Sequence, residues 1–418
     1  MSLFKELKWR NLIKECNNEK KLETLLEQEM INFYCGFDPT APSLTIGHLV
    51  QIITILLLSK NKHVPFILIG GATGLIGDPK EDAIERTLLS HDVILYNVNK
   101  LQQQFQKLLP QTNINFVNNY EWISQLNLIN FFRDYGKLFN VNYMIRKDKV
   151  AKRLEKKGIS YTEFSYMIFQ ALDFYQLYKK YNVKLQFGGS DQWGNITSGL
   201  ELISKIEKIS TKNEVIGMSI PLLLDRQGNK FGKSEKQTLW LDPQLTRPYE
   251  MYQYLFNTSD IDVINYLKSL TLLEIEKIKF LQKEQQRQSQ AREAQKALAD
   301  FVIVFLYGAT ILQECQQVNT ILFHKKPSQM TPEDFFLLTK HLHSICISQP
   351  ICITDALKNT KLATSKNEAR RLITAQSIKI GTKKINQIDF CLTPEQAFFQ
   401  QYILLTKKNK IHALLCFQ

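Results

Sequence analysis

The 418-residue chain has no apolar run long enough to span a bilayer: its longest, residues 52–58 and 64–69, fall far short of the ~20 a membrane helix needs. Its first fifteen residues lack the apolar core and cleavage site of an export signal and read as the start of an amphipathic helix. Neither export nor membrane integration is expected. The seven cysteines (Cys16, Cys35, Cys315, Cys346, Cys352, Cys391 and Cys416) are dispersed, odd in number and form no CxxC pair. A disulfide framework and a zinc site are therefore not indicated, and reduced thiols in a cytoplasmic compartment are the simplest account. There is no repeat or low-complexity tract, and 44% apolar with 22% charged residues excludes a disordered chain.

What is present is length and positive charge. A single core stops growing near ~250–300 residues, so more than one domain is expected. The net charge is +13. Residues 351–418 carry 11 basic and 4 acidic side chains, so the excess is concentrated in the tail. That points to a polyanionic partner there, or to a lysine-rich soluble surface.

The pattern predicts a strand at 32–37, a loop at 38–43, a helix over 47–60, a strand at 64–69 and a glycine-bearing loop over 70–79. A second set follows: a helix at 162–180, a strand at 183–187, the loop 188–195, a helix at 196–209 and a strand at 218–223. Alternation of this kind predicts an α/β domain with a parallel sheet, whose ligands bind beyond the carboxyl ends of the strands. The stretch 120–160 reads as helical and aromatic-rich, and fits either internal packing or a subunit interface. Residues 248–325 read as all-helical, with one long polar helix over 281–300. Thr331 and Pro332 mark a helix start. The domains expected are 1–247, catalytic, with the insertion at 120–160; 248–325, helical; 326–350, linker and helix; and 351–418, small and α+β.

Three clusters carry chemistry. Thr45-Ile46-Gly47-His48 opens a helix, where backbone N–H groups favour phosphate and Gly47 leaves room for a flat ring; a capped helix with a hydrogen-bonded histidine has the same pattern. Lys230-Phe231-Gly232-Lys233-Ser234 sets two lysines three apart around a glycine, which suits a polyphosphate or an ordinary polar turn. Tyr166, Gln170 and Asp173 share one face of the 162–180 helix. They either line a pocket for a ligand with an ammonium group and a polar tip or form an exposed polar stripe. Asp38, Asp78 and Asp191 each follow a predicted strand, with no histidine or cysteine placed to complete a transition-metal site.

In order, these pieces resemble the bacterial-type tyrosyl-tRNA synthetases, a class I aminoacyl-tRNA synthetase family. Residues 45–48 match its first signature and 230–234 its second. The segments YCGFDPTAPSL, GGATGLIGDP, YTEFSYMIFQALDF and GGSDQWGNI match family-specific stretches, and the tail at 354–381 resembles an S4-type RNA-binding domain. The resemblance implies a Rossmann-like catalytic domain, a homodimer with its interface at 120–160, and a two-step reaction. Tyrosine carboxylate attacks the α-phosphorus of ATP, and tRNA(Tyr) then takes the tyrosyl group on its terminal ribose. Mg²⁺ accompanies ATP, with no dedicated protein metal site. It implies that Tyr34 and Asp173 hold the substrate phenol, and that Asp78, Tyr166 and Gln170 hold its ammonium. Gly36, Asp38, Gly47, Gly189, Asp191 and Gln192 line the nucleotide side, together with residues 230–234. Thr40, Thr45, His48, Lys230 and Lys233 act on the polyphosphate. Lys366, Arg370, Arg371, Lys379, Lys383 and Lys384 face RNA. One departure stands out: Thr45 replaces the first histidine of the signature, so an active but retuned enzyme is expected. The alternatives are a catalytically weak homologue acting as an RNA-binding or splicing factor, a tryptophanyl-tRNA synthetase, and a small nucleotidyltransferase. Tyr34 with Asp173 argues against the second, and the tail argues against the third.

Overall fold

A computed structural model describes residues 1–418 except 80–87, 157, 209–214, 225–230, 235–236, 327–328 and 409. The chain divides into two units, Met1–Asp242 with Ser259–Ala294, and Pro243–Thr258 with Gln295–Gln418.

The first unit is built on a six-stranded sheet: β1 (Glu15–Cys16), β2 (Asn32–Phe37), β3 (Val64–Ile69), β4 (Asn115–Asn118), β5 (Val183–Gly189) and β6 (Ile216–Ile220), in the order β1-β6-β5-β2-β3-β4. β2 to β6 are parallel, as expected. The two-residue β1 pairs antiparallel with β6 and covers that edge, which the alternation did not reveal. Helix α1 (Leu3–Trp9) is the amphipathic start, burying Leu3, Phe4 and Leu7. Next, α2 (Leu49–Lys60) is apolar nearly all round and accordingly buried. A short helix, α3 (Thr73–Ile76), lies inside the stretch expected as loop. The unit's further helices include Glu19–Gln28, α4 (His91–Leu108), α5 (Asp148–Lys156), α6 (Tyr161–Tyr181) and α7 (Trp193–Glu207). The region 120–160 forms several short helices rather than one, and Leu128, Ile129, Phe132, Val141 and Tyr143 are exposed on them. The strand expected at 218–223 is β6, two residues earlier.

Chain order reverses at β2: β3 and β4 lie on one side, β5 and β6 on the other. Loops after β2 and β5 therefore diverge at their carboxyl ends, the general ligand position in such sheets. After β6, β7 (Lys233–Ser234) pairs with β8 (Gln237–Thr238). The long helix expected over 281–300 is interrupted. Helices Ile275–Arg287 and Glu293–Tyr307 are separated by a turn in which Arg292 takes φ 53°. Polar periodicity continues through that turn, so composition alone concealed it.

In the second unit, α8 (Pro332–His341) begins at Thr331, whose side chain accepts from Asp334 N–H as expected of a cap. A five-stranded sheet follows in the order β12-β11-β14-β15-β9. Its strands are β9 (His343–Ile347), β11 (Ile378–Ile380), β12 (Lys383–Lys384), β14 (Tyr402–Lys407) and β15 (Ile411–Phe417). A two-stranded ladder joins β10 (Ile351–Cys352) and β13 (Cys391–Leu392). β9 pairs in parallel with β15, so this sheet reaches back before residue 351. Helices α9 (Ile353–Asn359) and α10 (Lys366–Thr374) pack with these strands around Leu357, Leu372, Ile403 and Leu415. All seven cysteines are free thiols. Among the described residues, no helix is long and apolar enough to cross a membrane.

Candidate functional site

β2 and α6 bring Tyr34 and Asp173 together inside the first unit, 1% and 2% exposed. Burial, and then the Asp173 charge, push the Tyr34 phenol well above its ordinary range, so it remains a proton donor. Its oxygen is buried and has no hydrogen-bond partner among the described residues. Asp173 is held from two sides: Trp122 Nε1 donates to Oδ1 at 2.9 Å and Asn119 Nδ2 to Oδ2 at 3.0 Å. Burial pushes the Asp173 carboxyl up to about 7 against those two hydrogen bonds, and Asp38 adds to the rise.

Polar contacts extend from here. Asn119 Nδ2 also donates to Thr73 Oγ1 at 2.9 Å, and Thr73 donates to Asp38 Oδ1 at 2.8 Å. Tyr166 Oη donates to Asp38 Oδ2 at 2.7 Å. A Cβ on Gly70 would collide with both Asp38 Oδ1 and Thr73 Oγ1, so glycine is what allows this bond. Asp38, expected on the nucleotide side, thus also orients Tyr166. With its proton committed there, the Tyr166 oxygen keeps its lone pairs as acceptors.

The stripe on α6 is buried or half-buried, not an exposed polar face. Gln170 Oε1 accepts from Asn195 Nδ2 at 2.9 Å, and the same nitrogen lies 3.1 Å from Asp78 Oδ1 and 3.0 Å from Gln192 Oε1. Gln192 Nε2 donates to Asp78 Oδ2 at 3.1 Å, and Lys149 Nζ sits 2.6 Å from that oxygen. Asp78, Gln170, Gln192 and the Tyr166 oxygen form an acceptor-rich surround suited to an ammonium.

On the rim, Gly36 and Gly47 are exposed, and an added Cβ would find no protein atom closer than 3.8 Å and 3.7 Å respectively. Packing does not demand glycine at either position, which leaves room for a ligand. Gly189 differs: a Cβ there would crowd Asp191 Oδ1 at 2.7 Å. Asp191 and Gln192 are half-buried in the turn after β5. Thr40 is exposed, with its N–H donating to Asp38 O at 2.8 Å.

The first signature forms a 3-10 turn, Ile46–His48, ahead of α2. His48 therefore caps α2, where the sequence predicts a helix already under way from residue 47. Thr45 is buried, its N–H donates to His48 Nδ1 at 2.9 Å, and its hydroxyl lies 3.1 Å from the same nitrogen. Accepting at Nδ1 leaves the proton on Nε2. Thr45 thus orients His48. Phe231 is buried against Tyr266, ring centroids 4.3 Å apart. Gly232 takes φ +72°, and a Cβ there would collide with Ile46. Leu239 N–H donates to Gly232 O, and Ile46 N–H to Leu239 O, each at 2.9 Å. The two signatures therefore meet through backbone. Lys230 lies outside the described residues; Lys233 and Ser234 are described as the strand β7.

Sequence reasoning missed Asn119, Trp122, Thr73, Asn195 and Lys149. Thr73 and Asn195 lie within matched segments without an assigned role. Asn119, Trp122 and Lys149 gave no signal, because only the packing of distant segments brings them to carboxylates.

In the second unit, Lys366, Arg370, Arg371, Lys383 and Lys384 are exposed and Lys379 half-buried. Lys366 pairs with Asp355 at 2.6 Å. Lys379 stands directly opposite Lys384 across β11 and β12, a like-charge pair that a polyanion would relieve.

Comparisons with known proteins assign the chain to a family. The family of class I tRNA synthetases (W and Y) matches residues 26–324, and the tyrosine–tRNA ligase SYY-like C-terminal domain matches 336–415. The chain is 53% identical over 418 residues to the tyrosine–tRNA ligase of Aster yellows witches'-broom phytoplasma, with 100% of each covered. It is 42% identical over 416 residues to tyrosine–tRNA ligase 1 of Enterococcus faecalis, 99% of each covered. A C-terminally truncated Aspergillus nidulans mitochondrial tyrosyl-tRNA synthetase superposes with a TM-score of 0.70 at 28% identity, over 77% of this chain and 94% of that one. With both of its parts matched and the full length aligned, the chain belongs to the tyrosyl-tRNA synthetases, ligases of the class I aminoacyl-tRNA synthetase fold.

Proposed function

We propose that the chain activates L-tyrosine with ATP to tyrosyl-adenylate and pyrophosphate, then transfers the tyrosyl group to the terminal ribose of tRNA(Tyr). The observation that carries the amino-acid assignment is the Tyr34 hydroxyl. It is buried, protonated and unpartnered among the described residues, beside a carboxylate fixed by Trp122 and Asn119. A substrate phenol accepts from Tyr34 and donates to Asp173. Phenylalanine leaves the desolvated Tyr34 hydroxyl without a partner and brings Asp173 no donor beyond Trp122 and Asn119, an asymmetry for which this family is itself the known example. The ammonium goes to Asp78, Tyr166 and Gln170. Gly36, Gly47, Asp191 and Gln192 receive the nucleotide.

In the first step a carboxylate oxygen of tyrosine bonds to the α-phosphorus and pyrophosphate leaves. The protein positions the reactants and stabilises charge on the polyphosphate through His48 Nε2–H, Thr40 and the lysine loop. No covalent enzyme intermediate is involved. In the second step the ribose hydroxyl attacks the activated carbonyl and AMP leaves. Among the described residues no three His, Cys, Asp or Glu side chains gather to hold a metal ion. Mg²⁺ would accompany ATP as part of the nucleotide substrate and help neutralise the charge of its phosphates. The exposed apolar side chains of the 120–160 region support a homodimer, and the basic face on α10, β11 and β12 supports tRNA binding by the tail.

The test is tyrosine-dependent ATP–pyrophosphate exchange, run beside phenylalanine and tryptophan without tRNA. Exchange with tyrosine alone is expected. No exchange by folded protein that still binds tRNA would replace this reading with that of an RNA-binding homologue.

A further inference from the structure

The carboxylate assigned to the substrate's ammonium already holds an ammonium of the chain's own. Lys149 Nζ lies 2.6 Å from Asp78 Oδ2, with the two side chains 16% and 11% exposed. Gln192 Nε2 shares that oxygen at 3.1 Å, and Asn195 Nδ2 takes the other at 3.1 Å. A second cation on the same carboxylate would sit against Lys149 and be repelled.

The helix that carries Lys149 is anchored independently of this contact. Val150 is buried, and Arg153, one turn along α5, donates from Nη2 to Glu163 Oε2 at 3.0 Å in a pair 4% and 2% exposed. Arg153 holds α5 to α6, so moving the Lys149 ammonium on its flexible four-carbon stem does not require α5 to move. Such a site never has to present an unpaired, largely buried carboxylate, whose cost would be high.

We propose that Lys149 is a displaceable counter-ion and a specificity-determining residue of the amine site. It orients Asp78 in the empty enzyme, is exchanged for the α-ammonium of the amino acid, and returns as product leaves. This rests on the assignment of Asp78 to the substrate amine. Binding of tyrosine is then a cation exchange, whereas a phenol acid without an amine leaves the Lys149–Asp78 pair undisturbed. Lys149 therefore lowers tyrosine affinity while leaving that of the amine-free analogue alone.

The test compares equilibrium binding of L-tyrosine and 3-(4-hydroxyphenyl)propanoate to the full-length wild type, Lys149→Met and Lys149→Arg at pH 7.5. Methionine keeps the stem and removes the charge. Lys149→Met is expected to bind tyrosine roughly fivefold more tightly, the size of a modest like-charge repulsion at a partly buried site, with the analogue unchanged. Lys149→Arg, which keeps a cation, is expected to stay near wild type. Unchanged or weaker tyrosine binding in Lys149→Met, or an equal shift for both ligands, would overturn the proposal and leave a merely structural ion pair. Asp78→Asn separates the underlying assignment. It should erase the preference for tyrosine over the analogue. If that preference survives, the amine site is elsewhere, whatever Lys149 does; if it is erased while Lys149→Met changes nothing, only the counter-ion role falls.

Discussion

Asp173 carries two demands at once. In the proposed reaction it accepts from the substrate phenol, yet burial favours its protonated form and pushes it up to about 7. The folded state of the empty enzyme thus binds this proton more tightly than the unfolded chain, where an aspartate titrates near ~3.9. The sign follows: Asp173 contributes stability below about pH 4, and that contribution is lost as pH rises through 7. Tyrosine, which needs the carboxylate, should bind progressively more weakly below pH 7, while the KM for ATP changes little. Measuring both constants from pH 5.5 to 8.5 checks this, and a flat tyrosine profile would remove Asp173 from the phenol site. Asp173→Asn offers a single acceptor oxygen to Trp122, Asn119 and the substrate together. Its kcat/KM for tyrosine should fall by about 10- to 100-fold, the worth of one charged hydrogen bond, and the gap to phenylalanine should narrow. Thr45 acts at one remove, through His48 Nδ1. Thr45→Val keeps the shape and loses the hydroxyl. We expect roughly a two- to tenfold slower pyrophosphate exchange, equivalent to a neutral hydrogen bond, with the tyrosine KM unchanged.

At the scale of elements, the site depends on how α5 is seated on α6. The Arg153–Glu163 pair is almost fully buried, and removing one partner of such a pair strands the other charge. Arg153→Ala should cost about 3–5 kcal/mol in urea unfolding, whereas Arg153→Met combined with Glu163→Leu should recover much of that loss. If the double variant is no more stable than the single one, the pair is not what seats α5. The lysine loop depends on another element-scale match. Gly232 at φ +72° is the residue whose backbone meets Ile46 of the first signature. Both helices of the 162–209 region lie where apolar periodicity places them, because long periodic segments carry a strong local signal. The turn at 288–292 does not, because a left-handed Arg292 leaves no mark in composition.

For the whole molecule, the proposed separation of activation chemistry from RNA recognition is the feature to test. Lys379, Lys384 and Arg370 stand on the second unit, remote in sequence from every residue of the activation site. Reversing all three to glutamate should leave tyrosine-dependent exchange intact. It should weaken tRNA charging and reduce the salt dependence of tRNA binding by roughly one unit of slope for each phosphate no longer neutralised. Equal loss of exchange and charging would mean that these basic residues support folding. Truncation at residue 350 is a poorer test, because it would remove β15 and leave β9 without its partner strand.

The alternating α/β order, the two signatures, the shared face of Tyr166, Gln170 and Asp173 and the basic tail are legible in the sequence alone, whereas the burial of that face is not. Each legible feature is written in consecutive residues or in a period of two or 3.6 along one element. Only the tertiary structure decided which groups finish the site. Trp122 and Asn119 reach Asp173 from 51 and 54 residues away, and Lys149 reaches Asp78 from 71. The state of a buried carboxylate is set by neighbours brought together by folding, and no local pattern encodes which distant side chain supplies them.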